Sequence, residues 1–196
     1  SKNDGGMGTY KIRNITNDDV IDEGHIIELS DNNLIAELIT ENVNVKQFGA
    51  KGDNLTDDLQ AFQNAIDYVN ENGTLYVPKG VYKISSTINT KSSISIIGED
   101  DVPKIIFTGT GVLFNITGHP NIDHEYETMP RDTSSELKPI LKQLFLSTGE
   151  LHGKGKENTT AINFNTTNDT IMARGFLDNI HILHFDIGIN IGKYHF

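Results

Sequence analysis

The stretch that decides the fold runs from Val43 to Ile84 and reads VNVKQFGAKGDNLTDDLQAFQNAIDYVNENGTLYVPKGVYKI. Its middle part is the one segment of the chain with convincing helical periodicity. Apolar residues recur there at spacings that place them on one helical face: Leu59, Phe62, Ala65, Ile66 and Val69. The pattern predicts an amphipathic helix over residues 57–71.

Both ends of this helix carry capping signals. Asp57 or Thr56 is expected to serve as the N-cap, and Gln60 completes a capping box with Asp57. Asp58 favours the positive end of the helix dipole. Asn72 and Gly73 are expected to end the helix.

Short strands follow the helix along most of the remaining chain. Each repeating unit has one strand, a polar turn and a second strand of alternating apolar residues, and successive units begin 36 to 40 positions apart. Loops at 118–138 and 152–160 are expected to bulge out of the stack, and asparagines at the turns to hydrogen-bond along it. The units are 105–107 with 112–114, 144–146 with 162–164, and 180–182 with 187–191.

The opening stretch resembles the start of the pectate-lyase-like superfamily, position by position. The matching residues are Phe48, Gly49, Ala50, Gly52, Asp53, Thr56, Asp57, Asp58, Gln63, Ala65, Ile66, Gly73, Pro78, Gly80 and Tyr82. The resemblance implies a mainly β fold, a right-handed parallel β-helix (a single-stranded solenoid) whose N-terminal end is covered by a capping α-helix. In such a fold the motif is a fold-start signature and is not catalytic.

Residues 1–41 predict a separate, small β lead-in module. Tyr10, Ile12 and Ile15 suggest a strand, and the apolar runs 25–29 and 34–39 flank a polar loop in a hairpin pattern. The segment resembles the lead-in of phage tail, tailspike and pre-neck appendage proteins. That family implies homotrimeric virion appendages that bind, and often cleave, cell-surface glycans. We therefore divide the chain into a lead-in at 1–41 and the first coils of a β-helix at 42–196.

Composition and charge exclude several classes of function. There are 16 Lys plus Arg against 27 Asp plus Glu, a formal net charge of −11. This balance argues against a dedicated nucleic-acid binder and against adsorption to anionic membranes. The absence of Cys excludes disulfides, thiolate metal sites and thiol nucleophiles. No apolar run approaches the roughly 20 residues needed to span a bilayer, so no membrane insertion is predicted.

Carboxylates are the first candidates for chemistry, because glycan hydrolysis commonly uses two of them across a groove. Glu150 and His152 would share one side of a strand that reached so far, and they are the candidate catalytic pair. A loop at the end of the strand is the competing interpretation, because Gly153 and Gly155 follow at once.

The remaining candidates have structural interpretations. Asp57 and Asp58 suit capping and Asp53 suits a turn, while residues 99–101 suit a solvated turn. His181 is expected to face outward. His181 and His184 would point to opposite faces of their strand, which argues against a two-histidine metal site. Arg174 with Asp178 or Asp186 suits a surface ion pair. No cofactor and no metal are predicted.

The sequence predicts the N-terminal portion of a phage tail or appendage protein directed at a host surface glycan, capsule or teichoic acid. These residues would be mainly structural, in a homotrimer joined to a virion attachment protein on its N-terminal side. The alternatives are a secreted polysaccharide lyase or hydrolase and a receptor-binding module without chemistry. The missing initiator Met and the strand pattern close to Phe196 suggest a piece of a longer chain.

Overall fold

Strands dominate the described part of this computed structural model, which comprises residues 8–21, 24–30, 33–40, 42–69, 73–99, 101–120, 138–150, 155–165, 170–171 and 175–191. The described residues contain one α-helix and one short 3₁₀ helix. The prediction of a mainly β fold is therefore confirmed.

An antiparallel sheet of three strands precedes the rest of the fold. Its strands are β1 (Thr9–Asn14), β2 (Ile26–Glu28) and β3 (Leu34–Ile39), in the order β1-β3-β2. β3 is the central strand, with Ile12 of β1 and Ile27 of β2 both opposite Ala36.

A second set of strands pairs almost entirely in parallel. The elements are β4 (Val43–Asn44), a 3₁₀ helix (Val45–Phe48), β5 (Asp53–Asp57), α1 (Leu59–Tyr68), β6 (Thr74–Val77), β7 (Val81–Ile84), β8 (Ile88–Lys91), β9 (Ser95–Gly98), β10 (Lys104–Phe107), β11 (Gly111–Thr117), β12 (His119–Pro120), β13 (Lys138–Ser147), β14 (Lys156–Asn165), β15 (Thr170–Ile171), β16 (Gly175–Leu183) and β17 (Phe185–Ile191). Among the described strands of this set, the short pair β12 and β15 is the one antiparallel pair.

The parallel strands stack coil upon coil around one core, and they form three faces. The first face contains β4, β6, β9 and the first halves of β13 and β16. The second contains β5, β7, β10 and the second halves of β13 and β16. The third face contains β8, β11, β14 and β17. The predicted parallel solenoid is confirmed at this level.

The register confirms the repeating units that the sequence indicates. Ile105 lies opposite Leu146, which in turn lies opposite Ile182. On the third face Phe114 lies opposite Ile162, which lies opposite Ile189. The prediction of a bulging loop over 152–160 is wrong in its second half, because β14 begins at Lys156 and continues to Asn165. Most of the 118–138 excursion lies outside the described residues.

The corner between the first and second faces is a single residue in the later coils. Gln143 and Asn179 adopt the left-handed conformation there, with φ of 59° and 50°, and each bends one long strand from one face to the next. In the preceding coil the two faces are formed by separate strands, β9 ending at Gly98 and β10 beginning at Lys104. Gly98 lies against the Gln143 carbonyl so closely that a Cβ would collide with it.

Interior columns of aliphatic and aromatic side chains run along the stack. On the first face, for example, Val43, Leu75, Ile96 and Leu141 follow one another in register and are buried. α1 adds its own buried face to the same core through Ala61, Phe62, Ala65 and Ile66. Burial falls in the last described coil, where Ile187, Ile189 and Ile191 are 47%, 45% and 56% exposed.

The start of the helix differs from the predicted capping box. α1 begins at Leu59 with Asp58 at the N-cap position, and the Asp58 carboxylate makes no hydrogen bond to the helix. Asp57 accepts from the Leu59 N–H at 3.2 Å, while Gln60 donates to Asn64 instead of reaching back. A capping box does form at the 3₁₀ helix, between Asn44 and Gln47. The start signature thus contains two N-terminal caps, one at the 3₁₀ helix and one at α1. The helical periodicity of the sequence alone did not distinguish them.

Candidate functional site

The start signature assembles around the ring of Tyr82, which is fully buried. Gly52 and Gly80 lie so close to the ring that a Cβ on either would approach it to about 3 Å. The hydroxyl donates to the Pro78 carbonyl at 2.7 Å, and Phe62 meets the ring edge-on with centroids 5.4 Å apart. Burial raises the pKa of this phenol. These contacts explain why the motif demands its glycines, and they assign it a structural role.

The carboxylates of the motif are occupied by backbone N–H groups. Asp58 is buried and accepts from the amides of Lys51 at 2.6 Å and Gly52 at 3.1 Å. Burial raises the pKa of Asp58, although both of these hydrogen bonds act to lower it. Asp57 accepts from the amide and the hydroxyl of Ser85. Asp57 also accepts from the Leu59 N–H, which fits its capping interpretation, whereas the Asp58 carboxylate does not cap the helix.

Asp53 closes a tight turn, as its sequence context indicates. Its carboxylate accepts from the N–H groups of Leu55 at 2.9 Å and Thr56 at 2.8 Å, and from the Thr56 hydroxyl at 3.0 Å. The Thr56 and Leu55 hydrogen bonds lower the pKa of Asp53. The carboxylate is exposed, but its acceptor sites serve its own loop.

A ladder of asparagines runs along the outside of the third face. Asn115 donates to Asn89 at 3.0 Å, Asn163 donates to Asn115 at 2.9 Å, and Asn190 donates to Asn163 at 2.7 Å. The four residues occupy equivalent outward positions on β8, β11, β14 and β17. The prediction of asparagine hydrogen bonding along the stack is right, but the amides lie within the strands and not at the turns.

A second outward column lies two residues further along the strands. Thr117 is in register with Lys91 on one side and with Asn165 on the other. We call the two columns together the amide strip: Asn89, Asn115, Asn163, Asn190, Lys91, Thr117 and Asn165. The strip contains one cation and no carboxylate, on a chain whose net charge is −11.

α1 terminates the ladder at its first strand. The Gln63 side chain accepts from the Asn89 N–H at 3.1 Å and donates to the Asn89 carbonyl at 3.2 Å. This pair of hydrogen bonds is the one a neighbouring strand would make. The end of the strip is therefore fixed by a helix side chain at the open edge of β8.

The second face carries a different outward column. Lys104, Phe145 and His181 lie in register, with the Lys104 ammonium 5.7 Å from the Phe145 ring centroid. The His181 ring stacks on the other side of Phe145, with centroids 6.2 Å apart. His181 is exposed, which confirms that it faces outward. Because both sides of the Phe145 ring have a neighbour, this ring presents no open face on which a sugar could stack.

The candidate catalytic residues are only partly within the described chain. Glu150 is exposed and lies in a coil, three residues after β13 ends at Ser147. His152 lies outside the described residues, so the pairing of these two groups stays a prediction. Arg174 also lies outside them. Its proposed partners are engaged elsewhere, Asp178 with Lys142 at 3.2 Å and Asp186 with the N–H of Asn158 at 3.3 Å.

Two further searches cover only the described ranges. Within them, no three His, Cys, Asp or Glu side chains converge in a way that could hold a metal ion. Within the same ranges, no helix has the length and apolar character to cross a membrane.

Sequence reasoning missed the amide strip as a surface, although a signal for it exists. Each ladder asparagine stands between two residues of the interior columns, in the triplets Ile88–Thr90, Phe114–Ile116, Ile162–Phe164 and Ile189–Ile191. The unequal loops between the strands hide this repetition, because the triplets are not evenly spaced along the chain.

A solenoid of parallel coils that opens with this signature defines the pectate-lyase-like class of proteins. The profile of the family described as "Rhamnogalacturonase A/epimerase, pectate lyase-like" matches residues 42–196. The chain belongs to this family.

Individual relatives come from enzymes and from phages. The chain is 42% identical to the pre-neck appendage protein of Bacillus phage phi29 over 99 residues, covering 45% of the chain and 11% of that protein. It is 44% identical to alginate lyase 7 of Azotobacter vinelandii over 64 residues, covering 28% of the chain and 8% of the lyase. The chain thus spans about a tenth of the length of these relatives.

The fold is also that of a phage tailspike. Tailspike protein 2 of Escherichia coli O157:H7 bacteriophage CAB120 superimposes with a TM-score of 0.62 at 17% identity, covering 95% of this chain and 24% of the tailspike. The resemblance to pectate-lyase-like phage appendage proteins is confirmed.

Proposed function

We propose that this chain is the N-terminal part of a bacteriophage tail or appendage protein whose β-helix body binds a glycan of the bacterial surface, capsule or teichoic acid. The observation that carries the proposal is the 42% identity with the pre-neck appendage protein of phage phi29. The fold shared with a phage tailspike supports the same location on the virion.

Within the proposal, the two parts of the chain have different tasks. Residues 1–41 hold the protein to a virion attachment protein, and residues 42–196 start the β-helix. The two parts are in contact, because Tyr68 of α1 donates to the Leu38 carbonyl of the lead-in sheet at 3.3 Å. The rings of His25 and Tyr68 also lie 4.6 Å apart. These two contacts fix the lead-in sheet to α1.

α1 acts in this proposal as the lid of the first coil. Its apolar residues are buried against the interior columns, and Phe62 touches the buried Tyr82. A stacked-coil fold without such a cover would expose apolar core and unpaired strand edge. The right-handed course of the coils belongs to the same proposal.

The body is a homotrimer in this reading, and multi-angle light scattering tests that point. A phage appendage predicts three times the chain mass, whereas a secreted enzyme of this family predicts a monomer. A monomeric mass at all concentrations would contradict the appendage proposal.

A secreted polysaccharide lyase or hydrolase is the second candidate, and the 44% identity with alginate lyase 7 favours it. Incubation with teichoic acid, capsule or alginate, followed by a search for released oligomers, separates an enzyme from a binder. If oligomers appear, Glu150→Gln should lower their rate of release. Glu157→Gln is the matched control, because Glu157 is also exposed and lies at the start of β14. Binding without release would identify a receptor-binding module.

A further inference from the structure

We propose that copies of this chain contact one another through the first and second faces of the solenoid, the second face of one copy lying on the first face of the next. The inference rests on the proposed function, which includes a homotrimer, and deepens it by naming the surfaces that meet. It depends on the distribution of apolar side chains, on the symmetry of a closed ring and on charge.

The three faces differ in the apolar side chains that point outward. On the second face these residues alternate with the interior columns from β7 to β16: Val81, Ile106, Phe145 and Leu183. The first face presents three such residues: Tyr76, Ile97 and Phe176. Leu183 and Phe176 are 43% and 42% exposed. The amide strip of the third face has no apolar member. Outward apolar side chains therefore mark two of the three faces as surfaces for protein contact.

The symmetry of a closed ring decides which coils meet. Rotation about the ring axis brings no shift along it, so each coil contacts the same coil of the next copy when the solenoids lie side by side. Two faces that share a corner can each contact one neighbour, with the corner nearest the ring axis. The first and second faces share such a corner, which in the later coils is the single residue Gln143 or Asn179.

The apolar residues of the two faces match coil by coil. The pairs that belong to one coil are Tyr76 with Val81, Ile97 with Ile106, and Phe176 with Leu183. In the proposed ring, each residue meets the other member of its pair on the neighbouring copy, and apolar surface is buried from both sides. The coil of β13 differs, since Lys142 is its outward residue on the first face. The aliphatic stem of Lys142 can still pack on Phe145 of the next copy.

Charge is complementary between the two faces. From β7 onward the described strands of the second face carry Lys83 and Lys104 and no carboxylate. The first face carries Asp178, which pairs with Lys142 at 3.2 Å, and Glu99 follows β9 directly. Glu99 lies beside the shared corner in the same coil as Lys104. Because the net charge is −11, two copies repel each other on average, and a surface with cations and no carboxylate favours this contact over others.

The first test uses introduced thiols, because the chain contains no Cys of its own. The double variant Phe176→Cys and Leu183→Cys places one thiol on each face of the last described coil. The two thiols of one chain lie on opposite arms of β16, farther apart than the roughly 7 Å that a disulfide spans between Cα atoms. Mild oxidation should therefore link different chains, giving covalent dimers and trimers on a non-reducing gel.

The matched control moves one thiol to the third face of the same coil. Phe176→Cys with Asn190→Cys also replaces two exposed residues. We expect this control pair to link chains at least about tenfold more slowly, because thiols held together in an assembly have an effective concentration far above that in solution.

A charge reversal keeps the test decisive if the cysteine variants fail to fold. Lys104→Glu changes an exposed lysine of the second face, and Lys91→Glu changes an exposed lysine of the third face. Lys104→Glu should raise the concentration at which half of the chains are assembled by about tenfold or more. Lys91→Glu should leave it within about twofold. Light scattering over a dilution series measures both variants beside the wild type.

The outcomes separate the inference from the proposed function. Fast linkage of Phe176→Cys with Leu183→Cys, together with weaker assembly of Lys104→Glu, supports the contact between the first and second faces. If the wild type is a trimer but both cysteine pairs link equally, or neither links and Lys104→Glu assembles normally, other surfaces hold the trimer and the inference is wrong. If the wild type is a monomer at all concentrations, the inference and the appendage proposal fail together.

Discussion

The first and last described coils of the solenoid share the same interior columns but not the same surroundings. Ile88 in β8 and Ile189 in β17 occupy equivalent positions on the third face, through Phe114 and Ile162 between them. Ile88 is fully buried, whereas Ile189 is 45% exposed. Two equivalent positions in one interior column therefore differ in burial. The difference depends on the elements that pack over each end of the column.

The same contrast appears in the hydrogen bonds at the two ends of the ladder. At the first strand, Gln63 satisfies the N–H and the carbonyl of Asn89 from outside the sheet. At the last described strand, Asn190 donates to Asn163 along the ladder. At the outer edge of β8 a helix side chain thus makes backbone hydrogen bonds of the kind that neighbouring strands make between the other coils of this face, and this contribution can be tested by mutation.

The largest effect is expected from alanine substitutions at the two ends of one column. Ile88→Ala should lower the free energy of unfolding by about 2–5 kcal/mol, because it leaves a cavity in a covered core. Ile189→Ala should cost less than about half as much, since the side chain is already partly in water. Urea unfolding followed by circular dichroism measures both. Equal losses at the two sites would show that the covering layer has no energetic role.

Removing the Gln63 side chain should give the next effect. Gln63→Ala deletes the two hydrogen bonds at the open edge of β8 and a third from the Gln63 side chain to Asp67, and it should cost about 1–2 kcal/mol. Gln63→Glu is the comparison variant, because it keeps an acceptor for the Asn89 N–H but loses the donor to the Asn89 carbonyl and to Asp67. Since the new carboxylate would also face the Asp67 carboxylate, it should cost nearly as much as Gln63→Ala at neutral pH. Size-exclusion chromatography should also reveal self-association of the alanine variant if the edge is released; an unchanged stability would contradict the edge role.

The sequence predicts this architecture well where the same apolar pattern recurs in each coil of the solenoid. The apolar alternation in 105–107, 144–146 and 180–182 identified strands that do stack in register. The start signature was identified by its resemblance to a family, and three of its residues, Gly52, Pro78 and Gly80, do meet around Tyr82. Local patterns of this kind can be recognised in the sequence because each residue has one structural role.

Predictions failed where several residues of the same type compete for one task. Asp53, Asp57 and Asp58 are all acidic and adjacent to a helix, and periodicity does not reveal that Asp58 turns back to the amides of Lys51 and Gly52. The amide strip was not predicted for a different reason: its members come from four strands that are separated by loops of unequal length. Only the register brings them together.

Alanine substitutions within the ladder should give a smaller but ordered effect. Asn163→Ala removes two amide-to-amide hydrogen bonds, whereas Asn190→Ala removes one. We expect losses of about 1 and about 0.5 kcal/mol in the free energy of unfolding, because exposed groups regain water. A larger loss at Asn190 than at Asn163 would show that the ladder does not act rung by rung.

The smallest effect concerns pH and compares two carboxylates of the same turn. Burial raises the pKa of Asp58, so its contribution to stability is full below the ordinary aspartate value and falls as pH rises through the folded value. The pKa of Asp53 is lowered, chiefly by the Thr56 N–H, so its contribution is full at neutral pH and is lost as pH falls.

The difference in unfolding free energy between the wild type and Asp58→Asn should therefore shift toward the wild type on going from about pH 6 to about pH 3, and the difference for Asp53→Asn should shift the other way. Guanidinium unfolding at a series of pH values, with each variant measured beside the wild type, gives both slopes. Slopes of the same sign would mean that the hydrogen bonds from Lys51 and Gly52 outweigh the burial of Asp58. Its carboxylate would then be an ordinary turn acceptor like that of Asp53.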